Sequence, residues 1–438
     1  MEAYREKSFW LSQMELTPNP PLEGDLHCDV AIIGGGFTGM ATAYFLKVLD
    51  PAIRVAVLED QVVGYGASGR NAGFSMRLFG LTLPVTAARF GKERALEAHR
   101  YMTEAVSLVR ELVEEHNIDC DYEHTGFLRL ATSPAYEKRI RKELAFARRI
   151  GLDDMQWLDA RQVEEEVRSP LFGGGAWDPH SAILNPAKLV RGMKAVVENM
   201  GVQVHEGTPV QKVHTDQGVR LDTPGGSVHA ERVVVATNAY THLLGLAPLK
   251  QMPGFTHIIL TEPLDDRRLA EIGWQNRQGL EDARNLIHYF RLTRDNRLLL
   301  GGNDIVLPFG RQMALDQAPE VFAGLEQSMA RLFPPLAGTK ITHRWGGPVS
   351  ITLDMAPAIG ELRGGRILYS LGCMGHGVSL THLNGKTLAE LILGQQTSRT
   401  ETFFVKRRVP PWPPEPLRYA LGQTARSVLR LQDRFTDA

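Results

Sequence analysis

Three glycines stand in the spacing G-x-G-x-x-G at Gly34, Gly36 and Gly39. They follow a β-branched apolar run at 28–33 and precede a segment with helical spacing at 37–49, so they join a predicted strand to a predicted helix. In such a turn the first glycine permits a tight bend, the second lets a pyrophosphate approach the backbone, and the third lets the helix lie close to the sheet. The free N–H groups and the helix dipole then attract phosphate.

A carboxylate follows twenty residues after Gly39. Glu59 ends a second apolar run, 55–59, where it would accept hydrogen bonds from ribose hydroxyls and repel a 2′-phosphate. Residues 28–59 therefore predict strand, glycine turn, helix and strand, which is the start of a parallel, doubly wound α/β sheet. The pattern favours NAD or FAD over NADP, and by itself it does not separate the first two.

Two further glycine-rich segments occupy residues 64–73 (GYGASGRNAG) and 372–378 (GCMGHGV). The first is too rich in glycine to predict a helix and has the backbone freedom to wrap a planar ligand. The second precedes a predicted helix, and its N–H groups suit the pyrimidine edge of a flavin, which becomes negative on reduction. We predict that the loops at 34–39 and 372–377 converge on opposite ends of one cofactor.

The elements that must position these loops are read from apolar periodicity. Helices are predicted over 91–115, 136–150, 186–199, 320–332 and 379–393, and strands over 127–131, 202–204, 232–236, 287–292, 297–300 and 366–370. Asn185 followed by Pro186 is typical of a helix start.

Composition excludes several classes of protein. The 438 residues carry 49 Lys+Arg against 50 Asp+Glu, so no global field recruits nucleic acid or an anionic membrane. The three cysteines are odd in number and far apart, and the 14 histidines show no paired-ligand spacing, which argues against a disulfide framework and against a metal site. No run reaches 18 apolar residues and no signal peptide is evident, so we expect a cytoplasmic protein that acts on small molecules.

Several stretches, taken in order along the chain, resemble the D-amino-acid oxidase-like superfamily of FAD-dependent oxidoreductases. Among the branches of this superfamily, the sequence is most similar to the γ-glutamylputrescine oxidase-like amine oxidases. The stretches are the glycine triplet with Glu59, GASGRNAG, AILNPAKLV, RVVVATNAY, YFRLTRDNRLLLGG, RWGGPVSITLDMAPAIG and GCMGHGVSLTHLNGKTLAELI, spanning about residues 8 to 416. The resemblance implies an α/β fold with a discontinuous FAD-binding Rossmann domain of the glutathione-reductase type and a substrate domain built on a mixed sheet.

The resemblance also implies which residues contact the flavin. The implied contacts are Gly34, Gly35, Gly36, Phe37, Thr38, Gly39, Glu59, Ala67, Ser68, Arg70, Asn71, Gly73, Val210, Gly375, His376, Gly377 and Val378. Some members of the superfamily bind FAD covalently through a cysteine in the region of 345–352. This chain has none there, so we predict FAD that is bound without a covalent link.

On the substrate side, period-two alternation places Tyr289 and Arg291 on one face of the strand at 287–292 and His288 on the other. By resemblance this strand roofs the flavin, so Tyr289 and Arg291 are predicted substrate contacts. Trp345 and His257 are predicted to add an apolar wall and a polar tip, and His376 to act as an electrophilic or hydrogen-bonding neighbour of the flavin.

Two departures from the family pattern bear on the substrate. Amino-acid oxidase branches carry a carboxylate-binding arginine just ahead of a proline where this chain has Gly347 before Pro348, which weakens the case for a free α-amino acid. The lysine that another branch uses for oxygen activation is missing from YFRLTRDNRLLLGG. We expect oxidation of an amine or N-substituted amino compound, its distal carboxylate met by Arg291, with oxygen as the acceptor.

Three alternatives remain open. They are an amino-acid oxidase or dehydrogenase with another electron acceptor, an NAD-dependent dehydrogenase, and a non-catalytic flavin-binding module. The FAD-binding domain is predicted at 27–80, 170–245 and 340–398, and the substrate domain at 81–169 and 246–339, after an entry segment at 1–26.

The tail at 399–438 ends in a predicted basic amphipathic helix. Its arginines at 426, 430 and 434 have i, i+4 spacing, and we expect them to form its solvated face, although an acidic partner or a membrane would also suit them. The apolar residues expected to dock on the body are Leu421, Ala425, Val428 and Phe435.

Overall fold

A computed structural model describes residues 2–215 and 218–437 of the chain. Its helices are α1 (Glu2–Arg5), α2 (Phe9–Ser12), α3 (Phe37–Leu49), α4 (Leu83–Phe90), α5 (Lys92–Glu115), α6 (Pro134–Arg149), α7 (Ala160–Glu166), α8 (Pro186–Asn199), α9 (Asp266–Ile272), α10 (Pro319–Leu332), α11 (Gly377–Ile392) and α12 (Leu417–Asp437). Short 3₁₀ turns lie at Ala67–Gly69, Asn238–Leu244 and Pro334–Leu336.

The first sheet has the doubly wound order predicted for the cofactor domain. Its central strands β18 (Ile367–Leu371), β11 (Gly226–Val235), β1 (Leu26–Ile33), β2 (Val55–Leu58) and β8 (Gln203–His205) all run parallel. Strand β17 (Ala358–Leu362) pairs antiparallel at one edge, and β10 (Val219–Thr223) and β9 (Lys212–His214) extend from β11. Parallel strands end at one edge of a sheet, which is where ligands bind in such folds.

The second sheet is mixed. Its order is β16 (Ile341–Ile351), β12 (Met252–Thr261), β15 (Leu298–Gly302), β14 (His288–Leu292), β13 (Gly279–Asp282), β4 (Phe127–Ala131), β6 (Gly174–Asp178) and β5 (Gln156–Asp159). Two short strands, β3 (Phe74–Ser75) and β7 (Ala182–Ile183), form a separate antiparallel pair. Each of them lies where the chain passes from one sheet to the other.

The two sides of the second sheet contact different parts of the molecule. One side packs Leu280, Phe290 and Leu300 against α10 in a large apolar core. The other side meets the segment that follows β2, since Arg291 contacts the backbone of Gly73, and a Cβ on Gly279 would lie 2.8 Å from the ring of Phe74. We call this second side the loop-facing side.

The predicted first unit is confirmed as strand, glycine turn, helix and strand, and α3 has the bounds expected for it. The Asn185 side chain accepts from the Lys188 N–H at 3.1 Å and caps α8, as expected for a helix that begins with proline. The segment 67–69 was not expected to be helical, yet it forms one 3₁₀ turn, because so short a turn leaves its glycines at the ends.

The packing of three segments, two strands and one helix, differs from the predicted domain division. Strands β6 and β16 fall within segments assigned to the FAD-binding domain, but both belong to the second sheet. Strand β16 does so because its whole length pairs antiparallel with β12. Helix α5 was assigned to the substrate domain, but it packs against α11 beside the first sheet.

The expectation for the C-terminal helix is wrong in its orientation. Leu421 is 44% exposed and Phe435 76% exposed, and it is the polar side of α12 that docks. Asp304 of the body pairs with Arg426 and Arg430, and Asp433 accepts from the backbone N–H groups of residues 285 and 286. Charged hydrogen bonds attach the later part of α12, while Tyr419 near its start packs on Phe309.

No helix among residues 2–215 and 218–437 combines the length and apolar character that crossing a membrane requires.

Candidate active site

The first glycine loop, 34–39, has the backbone geometry that its spacing predicts. Gly34 has φ +109°, and a Cβ there would lie 2.8 Å from the Ala236 carbonyl oxygen. A Cβ on Gly39 would lie 2.0 Å from the Gly34 carbonyl oxygen, so only glycine lets α3 start this close to β1. The N-terminus of α3 is thereby aimed at the carboxyl edge of the first sheet.

Glu59 lies beside this loop. Its Oε2 accepts from the Gly35 N–H at 2.7 Å and its Oε1 from the Gln61 N–H at 3.0 Å. Burial raises the pKa of Glu59 to about 7. A carboxylate offers about four acceptor positions, so two bonds leave capacity for ribose hydroxyls. Contact with ribose stays a prediction.

The second loop, GASGRNAG, closes over the first. Ser68 Oγ accepts from the Phe37 N–H at 2.9 Å, and a Cβ on Gly36 would lie 2.9 Å from this Oγ. The Asn71 side chain donates to the carbonyls of residues 67 and 68 and accepts from the Gly73 N–H at 2.8 Å. Ser68 and Asn71 therefore fix the shape of the two loops from within.

Arg70 and Gly73 complete this segment. The Arg70 Nε donates to the Tyr65 carbonyl at 2.7 Å, and its guanidinium lies 4.5 Å from the centroid of the Tyr65 ring. Gly73 has φ +78°, and a Cβ there would lie 2.0 Å from the Leu184 carbonyl oxygen. The N-terminal segment covers the loop from outside, because Trp10 Nε1 donates to the Asn71 carbonyl at 2.9 Å.

The third loop, 372–377, leaves the same sheet edge as the first. Strands β1, β11 and β18 are parallel, so the loops after Ile33 and Leu371 both lie at their carboxyl ends. The rings of Phe37 in α3 and His382 in α11 stand 4.7 Å apart. The predicted convergence of the two loops on one place is thus seen in the fold.

His376 occupies the N-cap position of α11, and its side chain makes no capping hydrogen bond there. Burial and, to a lesser extent, the charge of Arg129 lower the pKa of His376 to about 4, so the ring is neutral at physiological pH. Its Nδ1 is buried and has no hydrogen-bond partner among the described residues.

The other predicted cofactor contacts lie around these loops. Gly35, Phe37 and Thr38 belong to the first loop and its helix, Ala67 opens the 3₁₀ turn, Gly375, Gly377 and Val378 are at the start of α11, and Val210 is in the segment after β8. A bond from the Thr208 N–H to the Glu59 carbonyl, 2.8 Å long, holds that last segment against the end of β2.

The substrate candidates lie on both sides of the second sheet. Tyr289 and Arg291 are on the loop-facing side, as period two predicts, while His288 contacts Ser328 of α10 on the other side. His257 also packs toward α10, with its ring 5.4 Å from that of Phe322. The predicted substrate contact of His257 would therefore need access from the α10 side.

Arg291 and Trp345 hold the second loop. Arg291 is 1% exposed, and its NH1 donates to the carbonyls of residues 184, 72 and 73 at 2.7, 3.3 and 3.3 Å. Trp345 Nε1 donates to the Arg70 carbonyl at 2.8 Å. In the structure, the hydrogen-bond partners of the Arg291 guanidinium are backbone carbonyls. Contact of Arg291 with a substrate carboxylate stays a prediction.

Three charged residues on the loop-facing side were missed by the sequence reasoning. Glu281 of β13 pairs with Tyr289, Arg129 of β4 pairs with Glu281 on its other side, and Glu143 of α6 contacts Arg129. Arg129 is a charged position between the buried residues Leu128 and Leu130, and that alternation was the available signal. Glu281 stands between Leu280 and Asp282, so its surroundings give no such signal.

The residues present fit a bound FAD. The first glycine loop, which has no room for a Cβ at Gly34 or Gly39, meets the third loop at one sheet edge, and a carboxylate with spare acceptor capacity stands beside the first. In the third loop, a buried His376 nitrogen lacks a hydrogen-bond partner within residues 2–215 and 218–437. Together with the mixed sheet above the loops, this arrangement defines a dinucleotide-dependent oxidoreductase with a discontinuous cofactor domain.

Comparison with known proteins identifies the family. The chain matches the family model described as FAD dependent oxidoreductase (DAO) over residues 29–391. It is 32% identical over 420 residues to the gamma-glutamylputrescine oxidoreductase of Escherichia coli K12, with 94% of both chains covered. It is 31% identical over 382 residues to the probable oxidoreductase OrdL of Haemophilus influenzae, with 86% of this chain and 85% of that protein covered. The chain therefore belongs to the DAO family of FAD-dependent oxidoreductases, and FAD is the cofactor that this family implies.

A solved structure supports the fold. The crystal structure of glycine oxidase from Geobacillus kaustophilus matches with a TM-score of 0.74 at 24% identity, and the match covers 88% of this chain and all of that one (100%). The predicted α/β architecture with a mixed-sheet substrate domain is thus confirmed.

Proposed function

We propose that this enzyme oxidises the carbon–nitrogen bond of an amine or N-substituted amino compound, of which γ-glutamylputrescine is the nearest type. The 32% identity to the E. coli gamma-glutamylputrescine oxidoreductase over nearly the whole chain supports this substrate class. The initial products are an imine and reduced cofactor, and hydrolysis of the imine releases a carbonyl compound with an amine or ammonia.

The observation that carries the proposal is the environment of Gly347. This residue occupies the place at which amino-acid oxidase branches are expected to present a carboxylate-binding arginine. Here a Cβ on Gly347 would lie 3.2 Å from the Cβ of Arg70, which is tighter than ordinary packing. Because the second glycine loop lies this close, a side chain that could clamp an α-carboxylate would enter position 347 only if Arg70 shifted away from it.

The residues of this chain would bind and orient the substrate, while bound FAD supplies the two-electron acceptor. Arg291, Trp345 and Asn71 fix the loop that forms one wall of the site. Burial raises the pKa of Tyr289 to about 12, so its hydroxyl stays protonated and donates a hydrogen bond at neutral pH. Arg291 and Trp345 are nearly fully buried, and such a low-dielectric surrounding strengthens their polar contacts.

We further propose that FAD is held without a covalent bond, because residues 345–352 contain no cysteine. Acid precipitation of the purified protein should leave the flavin in the supernatant. Flavin that remains on the precipitated chain would contradict this part of the proposal.

Anaerobic mixing tests the reaction itself. N-methylated and γ-glutamylated amines should bleach the flavin absorption, and readmitted oxygen should restore it with one peroxide per turnover. Bleaching by amines without peroxide would identify another electron acceptor and a dehydrogenase. Failure of every amine to bleach the flavin, alongside bleaching by free α-amino acids, would overturn the proposed substrate class.

A further inference from the structure

A nearly buried carboxylate lies on the loop-facing side of the second sheet, one strand beyond Tyr289. Glu281 pairs in register with Tyr289, so the two side chains lie on the same side of the sheet. Glu281 is 4% exposed, and across residues 2–215 and 218–437 its carboxylate receives no hydrogen bond. A buried carboxylate without donors is costly, so the position requires another explanation than packing.

The neighbouring charges compensate the carboxylate only in part. Arg129 NH1 donates to Glu143 Oε2 at 2.5 Å, whereas the distance from Arg129 Nε to Glu281 Oε1 is 3.6 Å, too long for a hydrogen bond. The Arg129 Nε is itself buried and lacks a partner in the described part of the chain. One cation between two carboxylates leaves a net negative charge, which a cationic ligand would balance.

Three neighbouring elements contribute a polar or charged group near Glu281, and His376 of the third loop is close enough to Arg129 for the charge of Arg129 to lower the pKa of His376. Arg129 comes from β4, Glu143 from α6, and Tyr289 from β14. On its own strand, Asp282 points to the other side of the sheet and is bonded to His288 at 2.6 Å. Burial, opposed by Arg129 and assisted by Asp282 and Glu143, raises the pKa of Glu281 to about 7.

We propose that Glu281 binds the ammonium group of the substrate and accepts its proton before oxidation. The inference rests on the proposed amine oxidation and names the class of substrate more closely: a compound that enters as an organic cation. The ammonium N–H groups would supply the donors that the buried carboxylate lacks, and the ligand charge would complete the Arg129–Glu143–Glu281 cluster.

The step moves one proton and no electrons. The N–H bond of the ammonium ion breaks, an O–H bond forms on Glu281, and the electron pair of the broken bond stays on nitrogen as the lone pair of a neutral amine. Only this neutral amine can release electrons from the adjacent carbon. A carboxyl group with a pKa near neutrality suits this exchange, because it is charged when the cation arrives and still takes up a proton.

The test uses the FAD-loaded full-length enzyme and the variants Glu281→Gln and Glu281→Asp. The probe is the tert-butylammonium ion, which has no hydrogen on the carbon that carries nitrogen and so binds without reacting. Isothermal titration calorimetry measures its affinity, and kcat/KM of an oxidised amine is recorded from pH 5 to 9. The matched control is Glu326→Gln, an acidic residue of α10 that is paired with Arg344 at the surface.

We expect Glu281→Gln to keep its flavin but to bind the cation about 10- to 100-fold more weakly, as for loss of a charge-assisted hydrogen bond. The rise of kcat/KM through about pH 7 should disappear in this variant, return in part in Glu281→Asp, and persist in Glu326→Gln. A purely structural role for Glu281 would not move the pH profile.

Two results separate this inference from the proposed function. Suppose that amines reduce the wild-type flavin, but Glu281→Gln keeps its affinity for the cation and the rise of kcat/KM near pH 7. The role of Glu281 is then overturned, while amine oxidation stands. If tert-butylammonium binding depends on Glu281 but amines with a hydrogen on that carbon never bleach the flavin, the cation site stands and the proposed oxidation fails.

Discussion

At the scale of single residues, backbone constraints were predictable and side-chain partners were not. Gly34 and Gly39 stand where a positive φ and a close approach exclude any side chain, so their spacing alone specified the turn. Arg291 was predicted on the correct side of its strand by period two. Its partners, the carbonyls of residues 72, 73 and 184, come from segments far away in the chain, and no local pattern indicates them.

The raised pKa of Glu281 has a consequence for folding stability. The group titrates at about 7 in the folded protein against 4.5 in an unperturbed chain, so the folded state holds the proton more tightly. Its contribution to stability is therefore complete below pH 4.5 and is lost as the pH rises through about 7. Glutamine does not titrate. We expect Glu281→Gln to stabilise the substrate-free enzyme at pH 8.5 by up to about 3 kcal/mol and to change it little at pH 4.5.

Denaturant unfolding at the two pH values measures this difference, with Glu326→Gln as the exposed control. A variant that is less stable than the wild type at pH 8.5 would show that the Glu281 carboxylate is satisfied in the folded protein, and the unpartnered state inferred above would be wrong.

At the scale of elements, regular periodicity predicted where helices lie better than how they dock. The α12 sequence places Leu421, Val428 and Phe435 along one stripe, and a stripe of this kind normally faces the core. The body instead offers Asp304, which is nearly buried and pairs with Arg426 and Arg430. Which side of a helix docks depends on the surface it meets, and that surface is assembled from residues more than a hundred positions away.

The docking of α12 can be tested by one substitution on each side of the interface. Asp304→Asn removes the charge that holds two arginines, so we expect a loss of about 1–3 kcal/mol and faster amide exchange along α12. Leu421→Ser changes a residue that is 44% exposed, and we expect a change within about 0.5 kcal/mol. Thermal unfolding with hydrogen-exchange mass spectrometry measures both. A larger loss of stability in Leu421→Ser than in Asp304→Asn would show that α12 docks through its apolar side, as the sequence pattern favours.

At the scale of the whole molecule, the site depends on two helices that are more than three hundred residues apart in the chain. Helix α3 carries the first glycine loop and α11 the third, and they touch where Gly385 meets Ala41. A Cβ on Gly385 would lie 2.6 Å from the Ala41 Cβ and 2.7 Å from the Thr42 nitrogen. The sequence indicated both loops, but it held no signal for the separation that this contact sets between them.

Widening this contact should therefore remove the cofactor before it unfolds the protein. Gly385→Val forces α3 and α11 apart, and we expect a fall in bound FAD per chain together with about 1–3 kcal/mol of overpacking cost, while the second sheet keeps its slow amide exchange. Lys386→Ala, at the next position of α11, should leave the FAD content unchanged. Flavin absorbance per chain and hydrogen exchange measure the two effects. Full FAD occupancy in Gly385→Val would mean that the loops hold the cofactor independently of the helix contact, because neither loop would then need the other to be fixed in place.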